Sequence, residues 1–344
     1  MDNKYKVAVI SDEKKLEIVE KDLKQPEGSQ VLIKVHSCAI CTLEQRIFNG
    51  VMKRYPFAGG HEAAGTVVSL GSKVKNLKVG DKVAARLLTS CGECYYCRSG
   101  HENQCVISFK ANIHEGIGGP GGFAQYMMVE AKALYKMADD LDLTYAALSE
   151  PLACSVHSIN NANIELGNDV VVIGVGIMGA FHIKLAKLRG ARVIACEVDE
   201  TRLEIAKKIG ADIVINSKEI NAIEKVKEFT EGRGADVVFC TAALPQLADD
   251  SIQMAGKVGR VVMYSSFHPN NPIELNVNRV HSTEMNITGA VNANTRDFQM
   301  ATKLLSNKII DPSMLISEIV PFENIDYGFY RAVDPKTYRV IVKM

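Results

Sequence analysis

An excess of charge of either sign is missing from this sequence: 40 Lys plus Arg stand against 40 Asp plus Glu in 344 residues, so the formal net charge is zero. That balance argues against nucleic acid or an anionic membrane as a partner, because both are held by a basic field. Small molecules are the expected partners. No apolar run approaches the roughly 18 residues that span a bilayer. Met1–Ile10 shows neither a long apolar stretch nor a small-residue cleavage site, so no secretory signal is read there and the expected location is the cytoplasm. Internal repeats and low-complexity segments are lacking too. What is present is a chain of 47 % hydrophobic residues, long enough at about 100–200 residues per domain for two domains.

Nine cysteines need a purpose other than disulfides in a reducing compartment, where thiols serve metals or catalysis. Cys38, Cys154, Cys196 and Cys240 stand among apolar neighbours and read as small buried hydrophobes. Cys91, Cys94, Cys97 and Cys105 have the spacing C-x2-C-x2-C-x7-C. Four thiolates in so short an excursion can surround one Zn2+ and leave no position for substrate, which makes this a structural site. A second set is looser: Cys41, the pair His61 and Glu62 after two glycines, and Glu150 before Pro151. A thiolate, an imidazole and carboxylates suit a catalytic zinc with an open position, although Fe2+, Co2+ or Mn2+ suit the mixed set as well. On spacing alone a His-Glu pair is more often a surface or capping feature than a metal site.

From Tyr5 to about Glu130, short strands such as Val31–Val35 alternate with glycine turns, the texture of a β-rich domain. After Leu152, strands alternate with helical stretches: Val170–Ile173, then Ile177–Leu188; Arg192–Cys196, then Glu200–Ile209; a charged helix Ile220–Phe229; strands Asp236–Cys240 and Arg260–Tyr264; and a helix Phe298–Leu305. This predicts an α/β fold with a doubly wound parallel sheet. The first strand runs into Gly174, Gly176, Ile177, Met178 and Gly179, the G-x-G-x-x-G turn that brings a dinucleotide pyrophosphate onto a helix N-terminus. Glu197, at the end of the second strand, is placed to accept hydrogen bonds from an adenosine ribose. Its charge would repel a 2′-phosphate, and Val198 rather than an arginine follows it, so NAD is favoured over NADP.

In this order the motifs resemble the zinc-containing medium-chain dehydrogenase/reductase family, closest to its sorbitol, polyol and threonine dehydrogenase branch. The likeness runs through Val35–Cys41, Gly60–Glu62 with Gly65, Val79–Val83, the four-cysteine lobe, Gly121–Tyr126, Glu150–Leu152 and the glycine turn. It implies a GroES-like catalytic domain over residues 1–152, completed by 291–344, and a Rossmann NAD-binding domain over 153–290. It further implies two Zn2+ per chain, with Cys41 and His61 as shared ligands of the catalytic one. Glu62 and Glu150 match two carboxylates whose roles differ among members, one ligating the metal directly while the other orients or exchanges with zinc-bound water. Arg202 matches a residue that lies along the adenine, and a homo-oligomer, dimer or tetramer, is implied as well.

Two departures stand out. Leu43 and Arg46 replace the usual hydroxyl and imidazole of the proton path, which leaves Thr42, metal-held water, Glu62 or Glu150 to carry the proton. Glu44 replaces the usual Asp, so the loop around the metal is expected to be rearranged. At Val291–Asn294 the usual arginine and aromatic are missing, and Asn292 remains as a substrate contact. The expected reaction is reversible oxidation of a secondary alcohol of a polyol, sugar or cyclitol to a ketone, with hydride passing to NAD+. L-Threonine or a simple secondary alcohol is the alternative substrate. A catalytically silent binding protein is the alternative from another class, opposed by the completeness of the Cys41, His61, Glu62 and Glu150 set.

Overall fold

The apolar run Val31–Val35, interrupted only by Lys34, lies inside strand β1 (Gln30–Ala39), and after Ile40 and Cys41 the chain enters helix α1 (Thr42–Phe48). Strands β2 (Glu62–Leu70), β3 (Lys82–Arg86), β4 (Tyr126–Glu130) and β5 (Leu134–Lys136) follow, then helix α2 (Ser149–Ala162). The chain next alternates β6 (Asp169–Ile173), α3 (Ile177–Leu188), β7 (Arg192–Glu197), α4 (Glu200–Lys208), β8 (Ile213–Asn216), α5 (Ala222–Phe229), β9 (Ala235–Cys240), α6 (Pro245–Met254), β10 (Ala255–Met263), α7 (Val277–Thr283) and β11 (Asn286–Gly289). Helix α8 (Thr295–Ser306) and strands β12 (Ile316–Pro321) and β13 (Arg339–Lys343) come last. The computed structural model describes residues 4–107, 113–114 and 116–344. It forms two units, Met1–Ala153 with Ala293–Met344, and Cys154–Asn292.

In the first unit the strand order is β12-β13-β1-β2-β3-β5, with β4 also paired to β1. The register matters for the site. Ala39 at the end of β1 faces Ile341 of β13 on one side and Glu62 of β2 on the other, and Glu62 in turn faces Arg86 of β3. A residue near position 340 is thereby brought to the end of the sheet where β1 runs into Cys41. Beneath lies a core in which Phe329 packs against Phe48 and Phe123 at ring separations of 5.1 and 5.5 Å. Burying rings of this size stabilises by roughly 1.5–3 kcal/mol each, enough to hold α1 against the sheet.

The second unit is the expected doubly wound sheet, all parallel, in the order β8-β7-β6-β9-β10-β11. Its central strand β6 is wholly buried and apolar after Asp169, as a strand covered on both faces must be. Glycine is needed at Gly179 because a Cβ there would lie 1.9 Å from the carbonyl oxygen of Gly174. Helix α3 can therefore start directly against the turn. Helix α5 starts at Ala222 rather than at Ile220, because the Asn221 side chain accepts from the N–H groups of Ile223 and Glu224. Helix α8 starts at Thr295, ahead of the expected Phe298, because Asn294 and Asp297 form a capping box.

One buried group makes the second unit sensitive to acid. His182 on α3 is fully buried, its Nδ1 donating to the Met178 carbonyl (2.7 Å) and its Nε2 accepting from Ser158 Oγ (2.8 Å). Burial lowers its pKa from 6.5 to about 4. The unfolded chain therefore binds a proton that the folded chain refuses between these values, so stability falls as pH drops from about 6.5 towards 4, by up to about 3 kcal/mol. In His182→Gln, the fall in thermal midpoint over that window is expected to be shallower than in the parent. Parallel slopes for the two proteins would contradict this.

Candidate functional site

Cys41 occupies the N-cap position of α1 in an extended conformation (φ −80°, ψ 163°) and spends no side-chain bond on capping, which leaves its sulfur for another partner. Glu44, one turn further along α1, is fully buried beside it. Its Oε1 accepts from the Gly60 N–H at 2.9 Å and pairs with His61 Nδ1 at 2.8 Å. Two glycines make room for this arrangement: a Cβ at Gly59 would lie 2.8 Å from Glu44 Cγ, and Gly60, at φ 95°, packs so closely on the neighbouring loop that a Cβ would meet the Phe123 nitrogen at 2.5 Å. With Nδ1 engaged by Glu44, the Nε2 of His61 is the nitrogen available to a metal, the arrangement in which an outer carboxylate fixes a ligand histidine. The substitution expected to rearrange the loop thus has a definite place, behind the imidazole.

Glu62 is also fully buried, but it faces a cation. Arg339, at the start of β13 and 3 % exposed, donates from Nε to Glu62 Oε2 (3.0 Å) and from Nη2 to Glu62 Oε1 (2.5 Å). The same Nη2 lies 3.5 Å from Cys41 Sγ. Glu150 sits in the first turn of α2, a helix absent from the sequence reading, and is 7 % exposed. Donor atoms of His61, Glu62 and Glu150 lie within 4.8 Å of one another, as do those of Cys41, Glu44 and His61, so the two groups meet at His61.

The electrostatics of this cluster call for a further cation. Three carboxylates and a thiol share the space with one guanidinium and one imidazole. Burial alone would depress His61, but Glu44 and Cys41 hold its imidazole well above the ordinary histidine range. Burial and Glu62 push the Cys41 thiol up against the opposing effect of Arg339. Burial and Glu150 likewise raise Glu62 in spite of Arg339. Soft and hard donors held out of water with unbalanced negative charge fit a divalent metal with thiolate, imidazole and carboxylate ligands. Of the candidates for a proton path, Thr42 is exposed, whereas Leu43 packs against the apolar core.

The four-cysteine set is brought together as a second group. Its sulfurs lie within 4.8 Å of one another, with Cys91 Sγ 3.9 Å from Cys97 Sγ and 3.6 Å from Cys105 Sγ. Four sulfurs at about 2.3 Å from a tetrahedral zinc are separated by about 3.8 Å, so the spacing fits. The N–H groups of Glu93 and Cys94 point at Cys91 Sγ (3.4 and 3.3 Å). Those of Cys97 and Val106 lower Cys94 to about 6.

In the second unit the N-cap of α3 is Gly176, which has no side chain with which to cap the first N–H groups of the helix. Those groups suit an anion. Glu197 is 9 % exposed; its Oε2 accepts from Val175 N (2.8 Å), and its Oε1 accepts from Val198 N (2.7 Å) and Asp199 N (3.3 Å). Three of the roughly four acceptor positions of a carboxylate are thus used, which leaves room for a hydroxyl donor. Arg202 stands 3.9 Å from Glu197. Asn292 ends the second unit in a left-handed conformation, φ 57°.

Residues 27–139 match the alcohol dehydrogenase GroES-like domain, and residues 174–307 match the zinc-binding dehydrogenase domain. A sorbitol dehydrogenase of Bacillus subtilis is 32 % identical over 342 residues, covering 96 % of this chain and 94 % of the relative. This chain belongs to the zinc-containing medium-chain dehydrogenase/reductase family. Its fold superposes on that of a zinc-binding dehydrogenase of Sinorhizobium meliloti bound to NADP, with a TM-score of 0.91, 25 % identity and 99 % of each chain covered. An alcohol dehydrogenase of Escherichia coli CFT073 solved with NADH gives a TM-score of 0.90 at 26 % identity, covering 99 % of this chain and 100 % of that one. The dehydrogenase is accordingly an alcohol-oxidising enzyme that uses zinc and a nicotinamide cofactor.

Two residues at the dehydrogenase's mixed site escaped the sequence reading. Glu44 was seen as a departure from the family pattern, yet its separation from Cys41 by one helical turn was the available signal that both share a face. Arg339 gave no local sign, since an arginine opening an apolar strand reads as a solvated edge. Glu44→Gln is expected to weaken metal affinity at the mixed site by about 10- to 100-fold while the four-cysteine site stays loaded, measured by metal content after graded chelation. Equal retention of both metals by the variant would count against the orienting role.

Proposed function

We propose that this dehydrogenase reversibly oxidises a secondary alcohol of a polyol, sugar or cyclitol to a ketone and passes the hydride to NAD+. The observation that carries the reading is the buried mixed donor set: Cys41 and His61 as ligands, with Glu44 orienting the imidazole. Glu150 is assigned as the carboxylate ligand, because both oxygens of Glu62 face the fork of Arg339. The four cysteines hold the second, structural zinc. When bound, the metal supplies Lewis acidity at the substrate hydroxyl and the nicotinamide accepts the hydride.

The remaining tasks fall to the chain's own atoms. The glycine turn and the N-terminus of α3 bind the pyrophosphate. Glu197 accepts a ribose hydroxyl at the acceptor position its backbone bonds leave open, and disfavours a 2′-phosphate by like charge. Arg202 lies along the adenine, its charge offset by Glu197. Leu43 has no atom to carry a proton, so the hydroxyl proton passes through Thr42 Oγ1, which releases its own proton to solvent as it accepts one, or goes to a carboxylate oxygen of Glu62 or Glu150. Asn292 offers an amide to a second hydroxyl of the substrate. Kinship with a sorbitol dehydrogenase supports a polyhydroxylated substrate.

NADH formation by the zinc-loaded protein, measured over a panel of polyols, cyclitols, threonine and simple secondary alcohols with NAD+ and with NADP+, tests this. Turnover of a polyhydroxylated substrate that prefers NAD+ and is abolished by chelation is expected. In Glu197→Ser the preference for NAD+ should shrink by tenfold or more, equivalent to about 1.4 kcal/mol. Turnover of threonine alone, or a preference for NADP+ in the parent, would overturn the substrate or the cofactor assignment respectively.

A further inference from the structure

The fork of Arg339 does more than neutralise Glu62. A guanidinium has five N–H donors in a rigid plane. Here Nε and one hydrogen of Nη2 serve the two oxygens of Glu62, at N–O distances of 3.0 and 2.5 Å, and Nη2 itself lies 3.5 Å from the Cys41 sulfur, which accepts from its remaining hydrogen. Buried Glu62 and Arg339 and the half-buried Cys41, from three distant stretches, meet at that one nitrogen: Cys41 at the start of α1, Glu62 at the start of β2, and Arg339 at the start of β13. The contact is built by the sheet. Ala39, two residues before Cys41, is held opposite both Glu62 and Ile341, two residues beyond Arg339.

We propose that Arg339 is a positioning residue that, by sharing Nη2 between Glu62 and the Cys41 sulfur, sets how much charge that sulfur gives to the bound metal. This rests on the metal reading of the mixed site. A donor pointed at a thiolate stabilises the sulfur lone pair, so the sulfur donates less and the metal remains the stronger Lewis acid. Lysine cannot reproduce this. Its ammonium is a point charge on a flexible stem and pairs with Glu62 without the planar fork that aims a second hydrogen at sulfur. The carboxylate is thus the rail on which the arginine is set, and the sulfur is what the arginine acts upon.

The test uses the full-length protein with Co2+ in the mixed site and zinc kept in the four-cysteine site. The readout is the sulfur-to-cobalt charge-transfer band, with kcat and KM of the zinc form measured in parallel. Glu62→Gln leaves the fork only one acceptor oxygen, so the arginine is held less firmly on the sulfur and the band should move in the same direction as in Arg339→Lys but by less. Arg339→Lys should move the band to longer wavelength and lower kcat with KM little changed. Because a buried carboxylate left unpaired threatens folding, the double variant R339M/E62Q, which removes both charges together, should fold and show the same shift as Arg339→Lys. Bands that do not move in either arginine variant would overturn the proposal while leaving the metal site standing. Failure of the parent to take up cobalt at the mixed site would remove the metal reading, and this inference with it.

Discussion

Negative charge buried without enough positive charge is the constraint on which the first unit depends. Glu44, Glu62 and Glu150 are all at least nine-tenths buried around His61, with Cys41 beside them and Arg339 as the nearest fixed cation. In a low-dielectric interior, losing one partner of such a pair costs about 3–5 kcal/mol, a large share of the 5–15 kcal/mol that holds a typical domain together. A chain would not carry this cluster for stability alone, since apolar residues of the same volume would fill the space at lower cost. The arrangement makes sense as a receptacle for a divalent cation that balances the carboxylates and the thiolate when it enters.

Everything around the cluster fixes donor atoms in advance. The register of β13, β1, β2 and β3 aligns Ile341, Ala39, Glu62 and Arg86 across the sheet. The positive φ of Gly60 turns His61 inward, and α1 supplies Cys41 and Glu44 from one face. Each ligand is thus held by an element whose own packing is settled elsewhere, by the phenylalanine cluster beneath α1 and by the apolar strands. Pre-positioning of this kind is what lets a site act on charge that develops during reaction without reorganising first.

The fold was legible to the extent that it rested on local rules. Strand and helix alternation after Leu152, the glycine turn and the acidic end of β7 each have a fixed spacing with a physical cause, and the parallel sheet follows from them. The four cysteines were equally plain, because one ion needs four sulfurs within a short loop. Cys41, His61 and Glu150 were legible as chemistry but not as geometry, since 20 and 89 residues separate them in turn. Glu44 carried one local sign, its single-turn spacing from Cys41, but its place behind His61 comes from tertiary contact, as does that of Arg339, which arrives from the last strand. Nor was α2 read, although Pro151 near its start is compatible with it, because a proline in the first turn leaves helical hydrogen bonding intact.

We propose that this chain holds two metals of different character, one among four sulfurs and one in the buried mixed set. X-ray absorption at the zinc edge of the fully loaded protein tests it most directly, compared before and after mild chelation. Two classes of zinc are expected. One has sulfur alone at about 2.3 Å, and the other combines one sulfur with nitrogen and oxygen at about 2.0–2.2 Å. Zinc found only among sulfurs, with no nitrogen or oxygen shell in the fully loaded protein, would contradict it.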